Sequence, residues 1–262
     1  MRAPEPARRK VAVLIPALDE EAALPHVLAE LPRALVDVVL VVDNGSRDRT
    51  ADVARAGGAF VVREERRGYG SACLAGLAAL LEGHAEVPCA PLEDRDVVVF
   101  LDADHSDFPA DLASVAGPVL ADAADFVVGS RVLGARGGRV LLPQARFGNA
   151  LACFLMRVLF GARHTDLGPF RAIRADALRH LRMRDRDYGW TVEMQLKARV
   201  AGLRVVEVPV RYRERIGTSK ITGTLAGSAR AGFKILAWIL GWRIHLARPG
   251  RGIPTFRRSG ST

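Results

Sequence analysis

The stretch Asp96-Val97-Val98-Val99-Phe100-Leu101-Asp102-Ala103-Asp104 decides how this chain reads. A run of β-branched, aromatic and aliphatic residues predicts a buried strand, and it ends in two carboxylates separated by one residue. Side chains alternate along a strand, so Asp102 and Asp104 project the same way if the extended backbone continues past Leu101. Paired carboxylates at the mouth of a sheet suit Mg²⁺ or Mn²⁺, because hard oxygen ligands hold such an ion and leave positions for phosphate oxygens. The stretch is a candidate diphosphate site; an Asp-x-Asp pair can also cap a helix or face solvent.

Towards the N-terminus the same pattern repeats. Val11 to Pro16 reads as a strand, followed by Ala17-Leu18-Asp19-Glu20-Glu21 and an apolar-periodic helix to about Leu31. Val38 to Val42 is a second strand ending at Asp43, and Asn44-Gly45-Ser46-Arg47-Asp48 supplies turn and N-cap chemistry for a helix through Ala56. Ala59 to Val62 is a third strand, after which Gly68-Tyr69-Gly70-Ser71 opens a helix from Ala72 to about Leu81. This alternation predicts an α/β fold, with a mostly parallel central sheet and helices on both faces. Ligands of such sheets collect at the carboxyl ends of the strands, where Pro16 to Glu20, Asp43 and the Asp102/Asp104 pair all fall. No glycine fingerprint follows the first strand and no Walker-type loop occurs, so a metal would do much of the neutralising of a diphosphate.

Towards the C-terminus the chain becomes basic. Residues 1–130 hold 12 Lys and Arg against 22 Asp and Glu, a net −10, whereas residues 131–262 hold 26 against 7, a net +19. A basic half attracts an anionic partner such as nucleic acid, acidic lipid or a phosphorylated substrate, or presents solvated arginine faces. Ala124 to Ser130 is a strand delivering Arg131 to the same edge, where a guanidinium offers phosphate a planar fork of donors. Gly134 to Gly138 is a candidate lid or a plain surface loop. Arg146, a second candidate for phosphate, opens an apolar helix from Phe147 to Phe160 that belongs to the core or touches lipid. Asp166 can orient an arginine or a sugar hydroxyl, or cap a turn. Trp190 can wall a sugar or fill the core, and Glu193 lies on the first turn of a helix to about Ala201. A strand from Leu203 to Tyr212 leads to Arg215-Ile216-Gly217-Thr218-Ser219-Lys220, where two cations flank a glycine and two hydroxyls around a candidate diphosphate. Leu225 to Ala247 is amphipathic, and its uncharged run from Ile235 to Trp242 is too short to span a bilayer. It reads as an interfacial helix, or as one packed on the domain or on a second subunit.

At 262 residues the chain fits one large domain, or one domain with an appendage, and 49% hydrophobic with 26% charged residues is an ordinary globular composition. Cys73, Cys89 and Cys153 show no pairing or metal-ligand spacing, which points to a reducing compartment. Met1 to Lys10 lacks an apolar core and reads as a flexible tail.

The ordered set Ile15-Pro16-Ala17-Leu18-Asp19-Glu20, Val42-Asp43-Asn44-Gly45-Ser46, Asp102-Ala103-Asp104, Gly129-Ser130-Arg131 and Arg215 to Lys220 resembles the inverting family 2 glycosyltransferases of GT-A fold. Within them it is most similar to the dolichyl- and polyprenyl-phosphate mannosyl- and glucosyltransferases. The resemblance covers roughly residues 11–222 and implies a catalytic domain there; residue pattern and composition predict an amphipathic helix over 223–247 and a disordered tail over 248–262. The resemblance implies transfer of a hexose from GDP-mannose or UDP-glucose to a lipid phosphate with inversion, by a cytoplasmic protein peripheral on the inner face of the membrane, with no nucleic acid partner. Pro16, Leu18, Glu20 and Asp43 would line the base and ribose pocket. Asp102 and Asp104 would hold the metal and the sugar diphosphate, Arg215 and Lys220 the departing phosphates, and Arg131 with Arg146 the acceptor phosphate. Leu18 and Asp19 stand where the mannosyl members have an aromatic residue and then Asn, and Ser106 stands where they have Gln. The third metal ligand is therefore open between Ser106 and Asp107, with His105 a lesser candidate. A hydroxyl acceptor would instead need a base, Glu193 or Asp166. The rival from another class is a nucleotide-sugar- or nucleic-acid-binding protein without turnover.

Overall fold

The computed structural model describes residues 8–134, 141–217, 225–246 and 253–258. Most of the Gly134–Gly138 loop, Lys220 and the extreme tails lie outside them.

Seven strands form one sheet: β1 (Val11–Ala17), β2 (Val38–Asp43), β3 (Phe60–Arg63), β4 (Val97–Phe100), β5 (Phe126–Ser130), β6 (Arg171–Arg174) and β7 (Val205–Pro209), in the order β3-β2-β1-β4-β6-β5-β7. The expected parallel pairing holds for β1 with β2 and β4, for β2 with β3, and for β5 with β7. β6 runs antiparallel between β4 and β5 and was not foreseen. Its four residues Arg-Ala-Ile-Arg carry no apolar run, yet all four are buried. Arg171 is fully enclosed, its guanidinium donating to the carbonyls of Leu167, Gly168 and Thr191, which is how a charge survives inside a sheet layer. Burial lowers its pKa to about 10.

The described helices are α1 (Leu24–Glu30), α2 (Thr50–Ala56), α3 (Tyr69–Glu82), α4 (Leu112–Leu120), α5 (Pro143–Phe160), α6 (Ala175–Leu181), α7 (Trp190–Val200) and α8 (Leu225–Leu246). Alternate β1 residues feed opposite layers. Ala12 and Leu14 join a core with α3 and α7, whereas Val11, Val13 and Ile15 join one with α1 and α4. A third cluster, with Ala152, Met156, Leu196 and Ile239, packs α5, α7 and α8 together.

Element ends shift from expectation where capping and pairing decide. α3 starts at Tyr69, and α5 starts at Pro143, whose missing N–H suits a first turn. β4 starts after Asp96, whose carboxylate accepts the amides of Lys10 and Glu93. The expected disordered tail does not hold for residues 253–258. There Phe256 donates its amide to Ala201 O at 2.8 Å and Arg258 lies 2.5 Å from Asp125 Oδ1.

From β1 the chain builds β2 and β3 to one side, whereas β4 lies on the other, so the sheet has a switch point between β1 and β4. β1 stays paired to Ala17, opposite Asp43, but its ladder with β4 closes at Leu14 opposite Phe100. The backbone past Leu101 is thus free to turn, and it opens the crevice where such sheets bind ligands.

Candidate active site

The crevice between the ends of β1 and β4 is a cleft of about 400 Å³, with Pro16, Leu18 and Glu20 on the β1 side and Asp102 and Asp104 on the β4 side. Arg215 closes the acidic end. Asp43 is buried behind the wall, its Oδ1 accepting the Ser46 amide at 2.9 Å, and Asn44 reaches the cleft in its place. Asn44 also anchors the chain beyond β3, donating to Glu64 O and Arg66 O and accepting the Gly68 amide.

Tyr69, Asp187 and Tyr188 complete the wall, and none was foreseen. The Gly68-Tyr69-Gly70 signal could have found the first. Glycine is required at 68 and 70 because a Cβ at either would sit 2.1 Å from a backbone carbonyl, of Arg186 and Asp185 respectively. That approach seats the 185–189 loop on the start of α3 and carries Asp187 and Tyr188 to the cleft.

Asp102 accepts the Tyr69 hydroxyl at 3.1 Å. Burial first, then the neighbouring Asp104 charge, push its carboxyl up to about 7, against the pull of Arg215, Tyr69 and Arg131. Asp104 is also buried; one oxygen accepts the Ser106 amide and the other lies 2.9 Å from the Arg215 guanidinium. A backbone stitch makes that contact possible. Asp107 bridges Tyr212, Arg213 donates its amide to Ser106 O at 2.9 Å, and Ile216 donates to Asp104 O at 3.0 Å.

Of the residues left open as a third ligand, His105 adopts φ 61° and points its Nε2 to Glu30 at 2.8 Å, away from the pair. Ser106 and Asp107 are both buried, and neither Asp107 carboxylate oxygen has a hydrogen-bond partner among the described residues. Among the described residues no three His, Cys, Asp or Glu side chains form a ready metal cage. The chemistry of the pair nonetheless fits a divalent ion that takes one or two carboxylates and completes its shell from phosphates and water. Two buried carboxylates, one short of countercharge, favour a cation.

Arg131 stands at the end of β5. Its Nε and a terminal nitrogen donate to the two oxygens of Asp166 at 2.8 and 2.7 Å, and its amide donates to Asp166 Oδ2 at 2.8 Å. Asp166 thus orients an arginine, one of the roles its sequence left open. The guanidinium also faces the Tyr212 ring at 5.1 Å, and its charge is felt at Asp102 and Asp107. Arg146 is exposed in a separate concavity with Val132, Phe147 and Thr165, outside the main cleft. Trp190 is a core residue, 1% exposed and 6.0 Å from the Phe100 ring centroid, so it walls no sugar. Glu193 is no base either: it is buried, pairs with Lys197 at 2.7 Å and accepts the amides of Arg184 and Asp185.

A switch-point cleft with an acid pair on one strand end and arginines facing it defines a class, the GT-A transferases that bind nucleotide-diphosphate sugars. Residues 12–182 match the family model for glycosyl transferase family 2, and the chain belongs to that family of glycosyltransferases. It is 34% identical over 234 residues to an undecaprenyl-phosphate mannosyltransferase of Micrococcus luteus, covering 84% of this chain and 90% of the relative. It is 31% identical over 240 residues to a dolichyl-phosphate hexose transferase of Haloferax volcanii, covering 90% and 96%. Among solved structures it resembles the glucosyl-3-phosphoglycerate synthase of Mycobacterium tuberculosis in complex with Mn²⁺, UDP and phosphoglyceric acid. The TM-score is 0.69 at 25% identity, over 90% of this chain and 78% of that one.

Proposed function

We propose that this protein moves a hexose from a nucleotide-diphosphate sugar to a polyprenyl phosphate with inversion, using Mg²⁺ or Mn²⁺ held by Asp102 and Asp104. The observation that carries the reading is the buried acid pair, met at 2.9 Å by Arg215 and electrostatically coupled to Arg131. Pro16, Leu18, Glu20 and Asn44 would bound the nucleoside end of the donor. When bound, the cation supplies Lewis-acid stabilisation of the diphosphate. Arg215, with Lys220, would neutralise the charge that grows on that leaving group. The bond from the anomeric carbon to the diphosphate oxygen breaks, its electron pair leaving with the diphosphate. An acceptor phosphate oxygen bonds to the opposite face of the same carbon.

A phosphate oxygen is anionic near neutral pH and needs no base, in keeping with a site whose candidate bases are occupied. Asp166 is engaged by Arg131 and Glu193 by Lys197. Arg131 would position the acceptor phosphate, with Arg146 further along its path. The names of the two relatives support a polyprenyl-type acceptor. A lipid acceptor would call for peripheral contact with a membrane, which this reading places on its inner face.

Incubating the chain with GDP-mannose or UDP-glucose, Mn²⁺ and a short-chain polyprenyl phosphate tests the reading. A hexosyl phosphoprenol should form with metal and not in chelator. The complex of the solved neighbour with phosphoglyceric acid favours a second reading, a small phosphorylated hydroxyl acceptor. Preferential transfer to 3-phosphoglycerate would replace the first reading with the second.

A further inference from the structure

A second cavity, of about 470 Å³, lies between α7, α8 and the segment that follows α6. Pro254 bounds it, its carbonyl accepting from His180 Nε2 at 2.7 Å. Aromatic faces and cations meet in its lining. The Trp238 and Trp242 rings stack with centroids 5.5 Å apart and planes 13° apart, and Lys197 Nζ sits 5.7 Å from the Trp242 centroid. Lys197 is committed to Glu193 at 2.7 Å and to Arg182 O at 2.6 Å. Arg182 and Arg184 are not committed: both are exposed, and neither guanidinium has an ion-pair or hydrogen-bond partner among the described residues.

This chemistry selects the ligand. Glu193 is the one acid of the lining, and Lys197 with the amides of Arg184 and Asp185 already occupies it. The cavity therefore presents two unmatched guanidinium groups beside an indole pair. A planar ring that carries a phosphate uses both, the ring packing on indole and the anion taking the fork of donors. A bare anion leaves the indoles unused, and a hydrocarbon leaves the guanidinium groups unused. A cavity of this volume is of the size that holds such a small molecule.

One loop separates this cavity from the donor cleft. Trp238 Nε1 donates to Asp185 Oδ2 at 2.7 Å, and Asp185 Oδ1 accepts the amides of Asp187 and Gly189 at 2.8 and 3.0 Å. A Cβ at Gly189 would lie 2.6 Å from Trp238 Cδ1, so the indole is seated directly on the loop. The same loop carries Asp187 and Tyr188 into the wall of the cleft. A ligand packed on the indole pair holds that wall in place and spares the donor part of the cost of ordering it. We propose that the cavity is a second ligand site, for an aromatic phosphate, whose occupancy tightens nucleotide binding in the donor cleft. The coupling rests on the donor-nucleotide reading of the cleft; the binding does not.

The test is calorimetry of the full chain with 1-naphthyl phosphate and with inorganic phosphate, the first repeated in saturating GDP or UDP with Mn²⁺. The naphthyl phosphate should bind about 10-fold or more tightly than inorganic phosphate, and nucleotide in the cleft should tighten it a further 5-fold or about that. Displacement by AMP marks a nucleoside phosphate as the source of the ligand, and no displacement an aryl phosphate of another kind. Arg182→Gln/Arg184→Gln should lose about 10-fold or more in affinity for the probe at the wild-type melting temperature. Trp238→Phe, which keeps a ring but cannot donate to Asp185, should bind the probe and lose the effect of nucleotide. Nucleotide binding itself, read by thermal shift, tells failure of the coupling from failure of the transferase reading. No binding of 1-naphthyl phosphate, inorganic phosphate binding as tightly, equal binding by Arg182→Gln/Arg184→Gln, or an affinity unchanged by a nucleotide that does bind would each overturn the proposal.

Discussion

The guanidinium of Arg215 lies 2.9 Å from Asp104 Oδ2, so the basic segment after β7 supplies the countercharge of the acid loop after β4. The two segments are more than a hundred residues apart, and the backbone bonds from Arg213 to Ser106 and from Ile216 to Asp104 hold them in register. Arg215 competes for an Asp104 oxygen that a cation would also use. Arg215→Ala should therefore bind Mn²⁺ more tightly than wild type without nucleotide, by calorimetry. It should nevertheless lose roughly 100-fold in kcat, because a donor aimed at the leaving group is removed. Asp104→Asn should lose both metal binding and turnover; full turnover in that variant would end the metal-assisted reading.

Asp166 holds Arg131 through three hydrogen bonds and is itself fully buried. Asp166→Asn breaks a buried pair, and urea unfolding should show a loss of about 3 kcal/mol. The acceptor KM should rise more than the donor KM, because the guanidinium is no longer aimed. Arg131→Lys should not rescue acceptor binding, since an ammonium cannot reproduce the fork.

Gly70 has a backbone carbonyl where its Cβ would be. Gly70→Ala should displace the 185–189 loop, weaken nucleotide binding by thermal shift, and lower stability by roughly 2 kcal/mol. Gly148, which has open space around it, is the control: Gly148→Ala should leave nucleotide binding as it is.

The His164 side chain is 4% exposed, and burial, with Arg171 nearby, lowers its pKa to about 4. Glu207 lies 3.8 Å from its Nδ1 but does not reverse this, because the Glu207 oxygens accept from Thr165 and Asp166. The unfolded imidazole, near 6.5, binds its proton first. Stability should therefore fall as pH drops from about 6.5 towards 4, by up to about 3 kcal/mol at full effect. The pH-dependence of urea midpoints should flatten over that window in His164→Gln, and an unchanged slope would show that other groups carry it.

The sequence by itself determined the strand-helix alternation, the edge at which Pro16, Leu18, Glu20, Asp102 and Asp104 meet, and the exclusion of a glycine-cradle fold. These are properties of local periodicity and of strand ends, and both are written within a few consecutive residues. Trp190 and Glu193 misled because a composition that suits a sugar wall also suits a core, and only packing against Phe100 and Lys197 distinguishes them. β6 was invisible for the converse reason: two of its four residues are arginines whose burial depends on carbonyls and carboxylates supplied by other segments. Tertiary structure alone decided that Arg215 meets Asp104, that Asp166 aims Arg131, and that α5 turns one side to the core and one to solvent. Each depends on long-range register, which no short window of the chain contains.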